Sequence, residues 1–403
     1  MPASRQLAIL GGQPLFSEPL HVGRPSVGNR ATFERLVGEV LDRRWFSNNG
    51  PLVREFEGRL QGFLGVRHCI TVCNATVGLE IAVRAAGLKG EVIVPAYTFV
   101  ATAHALQWQE VTPVFCDLDP ATHNLDPSRV EALITPSTTG IIGVHVWGRP
   151  CAVEALEGIA RRQGLTLMFD AAHAFGCGHA GRRIGTFGLA EIFSFHATKF
   201  FNTFEGGCVA TNDDGLAARI RLMKNFGFSG LDNVIYLGTN GKMTEICAAM
   251  GLASFDALDG LIATNRANYL AYQAALADLP GLRLIDYDQR ESQNFQYIVI
   301  ELDEQAFGLG RDELVRVLWA ENVRARKYFW PGVHRMEPYR TKFPETWRSL
   351  PATEALASRV MLLPTGQTVD HATINSIAQV LAAANAEAAE VKRVVGTGVC
   401  GTC

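Results

Sequence analysis

Between about residues 50 and 210, short strand-like runs alternate with stretches patterned as helices, and this alternation constrains the fold more than any other feature. Runs at 68–72, 91–94, 113–116, 140–145 and 165–170 are rich in Val, Ile, Leu and Phe. Helical patterns at 76–86, 101–107 and 153–163 fall among them, and runs at 191–196 and 207–211 form a later pair. Strands joined through helices pair in parallel, because a crossover returns the chain to the same end of the sheet. The pattern predicts an α/β domain with a central, mostly parallel sheet flanked by helices. After about residue 255 the texture changes. A long helix is expected at 265–277, strands at 282–285 and 295–300, and helices at 311–320 and 372–391 around a loop-rich stretch. This reads as a smaller α+β domain, giving an expected division of 1–255, 256–395 and a flexible tail at 396–403. No internal repeat or low-complexity segment interrupts it.

Charge excludes some classes of partner. The chain carries 37 Lys and Arg against 40 Asp and Glu, a formal charge of −3. Nothing in that balance attracts nucleic acid or an anionic membrane, so any bound anion must be held by a local site. The nine cysteines are odd in number and scattered, which argues for a reducing compartment. Cys400 and Cys403 form an isolated C-x-x-C, read as part of a frayed tail rather than a zinc site. No metal is expected. No long apolar leader stretch or membrane-length apolar run stands out, so a cytoplasmic protein without a membrane partner is expected.

Ligands of open parallel sheets gather at the carboxyl ends of the strands. There the run 165–169 delivers Asp170, and the strand ending near His196 leads to Lys199. The helix starting near Thr76 offers unpaired backbone N–H groups to an anion. A carboxylate, an amine and an anion cradle are what pyridoxal 5′-phosphate (PLP) needs: a lysine for its aldehyde, a carboxylate beside its ring nitrogen, and donors for its phosphate. A hydride-transferring Rossmann enzyme is poorly supported, since no G-x-G-x-x-G follows the first strand. His145 and His196 read as structural.

The runs Val-Pro-Ala-Tyr-Thr-Phe-Val-Ala-Thr (94–102), Phe-Asp-Ala-Ala-His-Ala (169–174), Phe-Ser-Phe-His-Ala-Thr-Lys (193–199) and Glu-Gly-Gly (205–207) resemble the DegT/DnrJ/StrS sugar-nucleotide aminotransferases. These are PLP enzymes of fold type I. Gly-Thr-Asn-Gly-Lys-Met-Thr-Glu (238–245) and Leu-Pro-Thr (363–365) extend the resemblance over about residues 30–385. It implies that Lys199 bonds the cofactor covalently and then shuttles protons, and that Asp170 pairs with the ring nitrogen. It implies that His173 lies near the ring hydroxyl and that Phe99 stacks on the ring. Ala75, through its N–H, Thr76 and Ser194 would hold the phosphate. Asn240 would reach it from the neighbouring subunit of a homodimer.

The resemblance further implies L-glutamate as amino donor, with pyridoxamine 5′-phosphate as the aminated cofactor. The runs at 47–57, 223–228 and 240–245 are most similar to members that act at C4 of dTDP-4-keto-6-deoxyglucose. A C3 aminotransferase and a non-catalytic regulatory protein remain alternatives. A sugar dehydratase of the same fold would carry His where Lys199 stands. The loop 324–334, rich in Arg, Lys and aromatic residues, is either a wall for the sugar nucleotide or a packed interdomain loop.

Overall fold

The computed structural model describes residues 6–344 and 350–396. Cys400 and Cys403 lie outside the described residues. Seven strands form the main sheet, in the order His68–Val72, Gly207–Thr211, Ala190–Ser194, Thr166–Asp170, Thr138–Val144, Glu91–Pro95, Thr112–Cys116. Gly207–Thr211 runs antiparallel to both neighbours, and the other pairings are parallel. Alternate residues feed two cores, one on each face. Ile93, Ile141, Phe169 and Phe193 pack on one side, and Val92, Ile142, Met168 and Ile192 on the other. Burial on both faces is why these strands read as continuous apolar runs.

Local chemistry sets the helix ends. Asn74 caps Ala75–Ala85 by accepting from the Val77 N–H at 2.9 Å. Val153–Gln163 stops at Gly164, whose φ of 66° suits a residue without Cβ. Among the helices that sequence patterning did not anticipate are Arg30–Arg43, Pro51–Leu64, Asp214–Met223 and Glu245–Asp256. Asn29, Asp213 and Thr244 cap three of them, and Pro51 opens the fourth. The expected helix 372–391 is two helices, His371–Ala386 and Ala388–Gly396.

The C-terminal unit holds an antiparallel sheet of Leu282–Leu284, Ile298–Leu302 and Val360–Leu363. The long helix begins earlier than expected, at Leu258, and runs to Leu276. The strand expected at 295–300 begins at Ile298. Gln296 and Tyr297, just before it, are drawn into contacts with loops at the edge of the large sheet, described below. Sequence order groups residues 6–22 with the large unit, but their contacts group them with the C-terminal one. Leu20–His21 pairs with Val323–Arg324. The buried Glu321 carboxylate accepts from the Ala8 and Leu15 N–H groups, both at 2.7 Å. A buried carboxylate needs such donors, and this one anchors the N-terminal segment across the chain. Among the described residues, no single helix is long and apolar enough to cross a membrane.

Candidate active site

The carboxyl edge of the sheet gathers the chemistry. Asp170 ends its strand, buried at 5% exposure. Its Oδ2 accepts from the Thr102 hydroxyl at 2.8 Å and its Oδ1 from the Ala172 N–H at 3.0 Å. Burial pushes the carboxyl upward, while these two bonds and the Lys199 charge act the other way. Each oxygen retains a lone pair, so the group can also take a cationic N–H.

Lys199 follows the neighbouring strand, and its Nζ donates to the Tyr297 hydroxyl at 2.9 Å. Burial lowers its pKa to about 8, against the opposing charges of Asp170 and Tyr328. A lysine so placed offers a free amine near neutral pH.

His173 is buried beside them. Its Nδ1 accepts from the Trp147 N–H at 3.2 Å. Burial, with the nearby Lys199 charge, holds its pKa well below the ordinary histidine value. The ring is therefore neutral and carries its proton on Nε2, as a donor. It stacks on Trp147 at 5.8 Å and 16°.

A cradle lies at the same edge. Ser194 and Val72 both stand opposite Gly207 in register. A Cβ on Gly207 would lie 2.6 Å from the Phe193 carbonyl oxygen and 2.9 Å from the Ala75 nitrogen. Only glycine lets the start of helix Ala75–Ala85 descend onto this edge. Asn74 takes the N–H groups of Val77 and Gly78, through its side chain and its carbonyl. The Ala75 and Thr76 N–H groups are the remaining first-turn donors, beside the half-buried Ser194.

Phe99 is 54% exposed and lines a cleft of about 600 Å³ with Arg324, Arg326, Lys327, Tyr328 and Trp330. The 324–334 loop thus forms a cleft wall as well as an interdomain contact: the Tyr97 hydroxyl donates to the Tyr328 carbonyl at 2.7 Å. Asn240 is exposed and bridges to Asn225, so within one chain it is not joined to Lys199 or Asp170. His145 is buried against Glu191 at 2.9 Å and accepts from the Cys151 N–H. His196 contacts Thr198 within its own turn.

Sequence reasoning missed Thr102, Trp147 and Tyr297. Thr102 lay inside a singled-out run without a role. Tyr297 is 98 positions from Lys199 and carries no local signal.

The residues present fit PLP by donor chemistry: a buried carboxylate, a lysine amine whose pKa is lowered, a neutral histidine N–H, and the unused first-turn N–H groups of a helix start that Gly207 lets approach the sheet edge.

Comparison with known proteins identifies the family. The DegT/DnrJ/EryC1/StrS aminotransferase family pattern matches residues 29–382. A dTDP-4-amino-4,6-dideoxy-D-glucose transaminase of Shigella dysenteriae is 37% identical over 349 residues, 87% of this chain and 94% of the relative. A transaminase of the same name from Escherichia coli is 35% identical over 344 residues, 85% of this chain and 92% of the relative. The crystal structure of DesI in the presence of its TDP-sugar product matches with a TM-score of 0.91 and 49% identity, covering 98% of this chain and 100% of that one. With a family pattern over most of its length and a fold type I architecture, the chain belongs to the DegT/DnrJ/EryC1/StrS aminotransferase family.

Proposed function

We propose that this aminotransferase uses PLP to move an amino group from L-glutamate to C4 of dTDP-4-keto-6-deoxy-D-glucose, giving dTDP-4-amino-4,6-dideoxy-D-glucose. The observation that carries the chemistry is the half-buried Lys199 amine, held by Tyr297 and with a pKa lowered to about 8, near the buried Asp170 carboxylate. The names of the transaminase relatives and of the DesI structure support the substrate.

When bound, PLP supplies an aldehyde for amines and a ring that withdraws electrons from the adjacent carbon. Asp170 would hold the proton on the ring nitrogen, with Thr102 orienting that carboxylate. His173 Nε2–H would be a donor to the ring substituents. Ala75, Thr76 and Ser194 would hold the phosphate, and Phe99 would pack on the ring. Lys199 would be the residue that bonds the cofactor, and its Nζ would serve as the base for the carbon bearing the donor's amino group and as the acid when the keto sugar is aminated.

Arg324, Arg326 and Lys327 give the cleft beside Phe99 the local positive charge that a diphosphate needs. Tyr328 and Trp330 offer aromatic faces to the base. We read the active unit as a homodimer with Asn240 contributed across it. The exposed Phe226, Val234, Ile235 and Leu237, just before Asn240, support a covered surface there. The seven described cysteines are free thiols, which supports a reducing compartment such as the cytoplasm.

Incubation with L-glutamate and a panel of keto-sugar nucleotides tests this reading. The expected result is 2-oxoglutarate release with dTDP-4-keto-6-deoxyglucose and NMR assignment of the new amine to C4. An amine at C3 would favour the 3-keto reading. No 2-oxoglutarate with any sugar nucleotide would favour a non-catalytic role.

A further inference from the structure

The segment Asn294 to Tyr297, just before the strand Ile298–Leu302, crosses from the C-terminal unit to the sheet edge. Asn294 Nδ2 donates to the carbonyls of His173 at 2.8 Å and Phe175 at 3.0 Å. Gln296 Oε1 accepts from the Phe200 N–H at 3.1 Å, one residue beyond Lys199. The Tyr297 ring lies 4.6 Å from His173 and 5.4 Å from Trp147. Its hydroxyl meets Lys199 Nζ at 2.9 Å. The Tyr287 hydroxyl donates to the Tyr297 carbonyl at 3.0 Å, pinning the backbone. One segment therefore fixes the loops that carry both His173 and Lys199.

We propose that Tyr297 is the positioning residue for the Lys199 amine, its hydroxyl accepting from the ammonium and donating to the free amine. This rests on the reading of Lys199 as the residue that bonds the cofactor and shuttles the proton. A lysine shuttle has a flexible four-carbon stem, and a released amine that swings away loses its geometry. A hydroxyl serves both states through a single atom, since it can donate and accept. A second carboxylate would hold the amine protonated. Burial raises the Tyr297 phenol above its ordinary range, so it stays a neutral hydroxyl. The groups that face Lys199 are then Asp170 and Tyr328, which favour its charge, His173, and the hydroxyl of Tyr297.

Tyr297→Phe tests the inference, because it keeps the ring on His173 and removes only the hydroxyl. Borohydride trapping of the holoenzyme, read by peptide mass spectrometry, reports first on Lys199. The expected result is cofactor fixed on Lys199 in both the native protein and the variant. In the variant, kcat with L-glutamate falls about tenfold to a hundredfold while KM changes less. The pH limb of kcat assigned to the amine moves as well. Failure to trap cofactor on native Lys199 would remove the underlying reading. Trapping in both proteins, with kcat and the pH limb unchanged in the variant, would overturn the role of Tyr297 alone. Should Tyr297→Phe not fold, replacing Tyr297 by 3,5-difluorotyrosine acidifies the hydroxyl at nearly constant shape. The amine limb then moves if the hydroxyl holds the amine, and an unchanged limb overturns the inference.

Discussion

The carboxyl edge of the seven-stranded sheet and the C-terminal segment facing it hold the same lysine in different ways. At the edge, each group is placed by the end of its own element: Asp170 by one strand, Ser194 and Lys199 by the next, Ala75 and Thr76 by a capped helix start. In the C-terminal unit, Asn294, Gln296 and Tyr297 act across the interface on loops distant in sequence. The first region assembles reactive groups. The second aims them, and forms the cleft wall at Arg324, Arg326 and Lys327. Substitutions at the edge should remove chemistry, whereas substitutions facing it should weaken orientation or substrate binding.

The largest separation is expected at the edge. Lys199→Ala should lower transamination by about a thousandfold or more, measured as 2-oxoglutarate release, because on the proposed reading the covalent anchor and the proton shuttle go together. Asp170→Asn keeps the shape but loses the charge that, on the proposed reading, would hold the ring proton, and should cost roughly a hundredfold to a thousandfold in kcat/KM. Residual activity near the native level in either variant would break the division of labour.

The Lys199 amine gives a test by pH. Burial penalises its ammonium, so the proton leaves at lower pH than from an exposed lysine. In the cofactor-free chain, labelling of Lys199 by an amine-directed reagent should reach half its maximum near pH 8. At that pH it should present about a hundredfold more free amine than an exposed lysine. A midpoint near the ordinary value of 10.5 would contradict the desolvation of the amine.

On the facing side the effects should be smaller and of a different kind. Arg326→Ala together with Lys327→Ala should raise KM for the sugar nucleotide by about tenfold, with the L-glutamate half-reaction little changed. Equal loss in both half-reactions would show that the cleft wall supports the fold rather than the substrate. Thr102→Val deletes the hydroxyl on Asp170 at constant shape. It should cost several-fold in kcat and about 1 kcal/mol of stability, read by denaturant unfolding.

The same contrast explains what the sequence made legible. The strands at 68–72 and 207–211 and the helix at 153–163 coincide with the observed elements, because continuous apolar runs and helical periodicity are local signals. Asp170 and Lys199 could be singled out because one ends a strand and the other lies shortly past the end of its neighbour. The Ala75 and Thr76 donors become explicable once Asn74 is recognised as a cap. Tyr297, Trp147 and Asn294 could not be found this way, since their roles depend on contacts between distant segments. The strand expected to begin at 295 starts at Ile298 for the same reason: the preceding side chains bond across the interface. The N-terminal segment joins the C-terminal unit through Glu321, a pairing 313 positions long for Ala8 and 306 for Leu15. Periodicity carries no information at that range.

The most direct test of the account is where the cofactor attaches. Borohydride reduction of the purified, PLP-loaded protein, followed by proteolysis and mass spectrometry, should place the pyridoxyl mass on the peptide containing Lys199 and leave none in Lys199→Ala. Pyridoxyl mass on a different lysine in the native protein, or covalent cofactor persisting in Lys199→Ala, would contradict it.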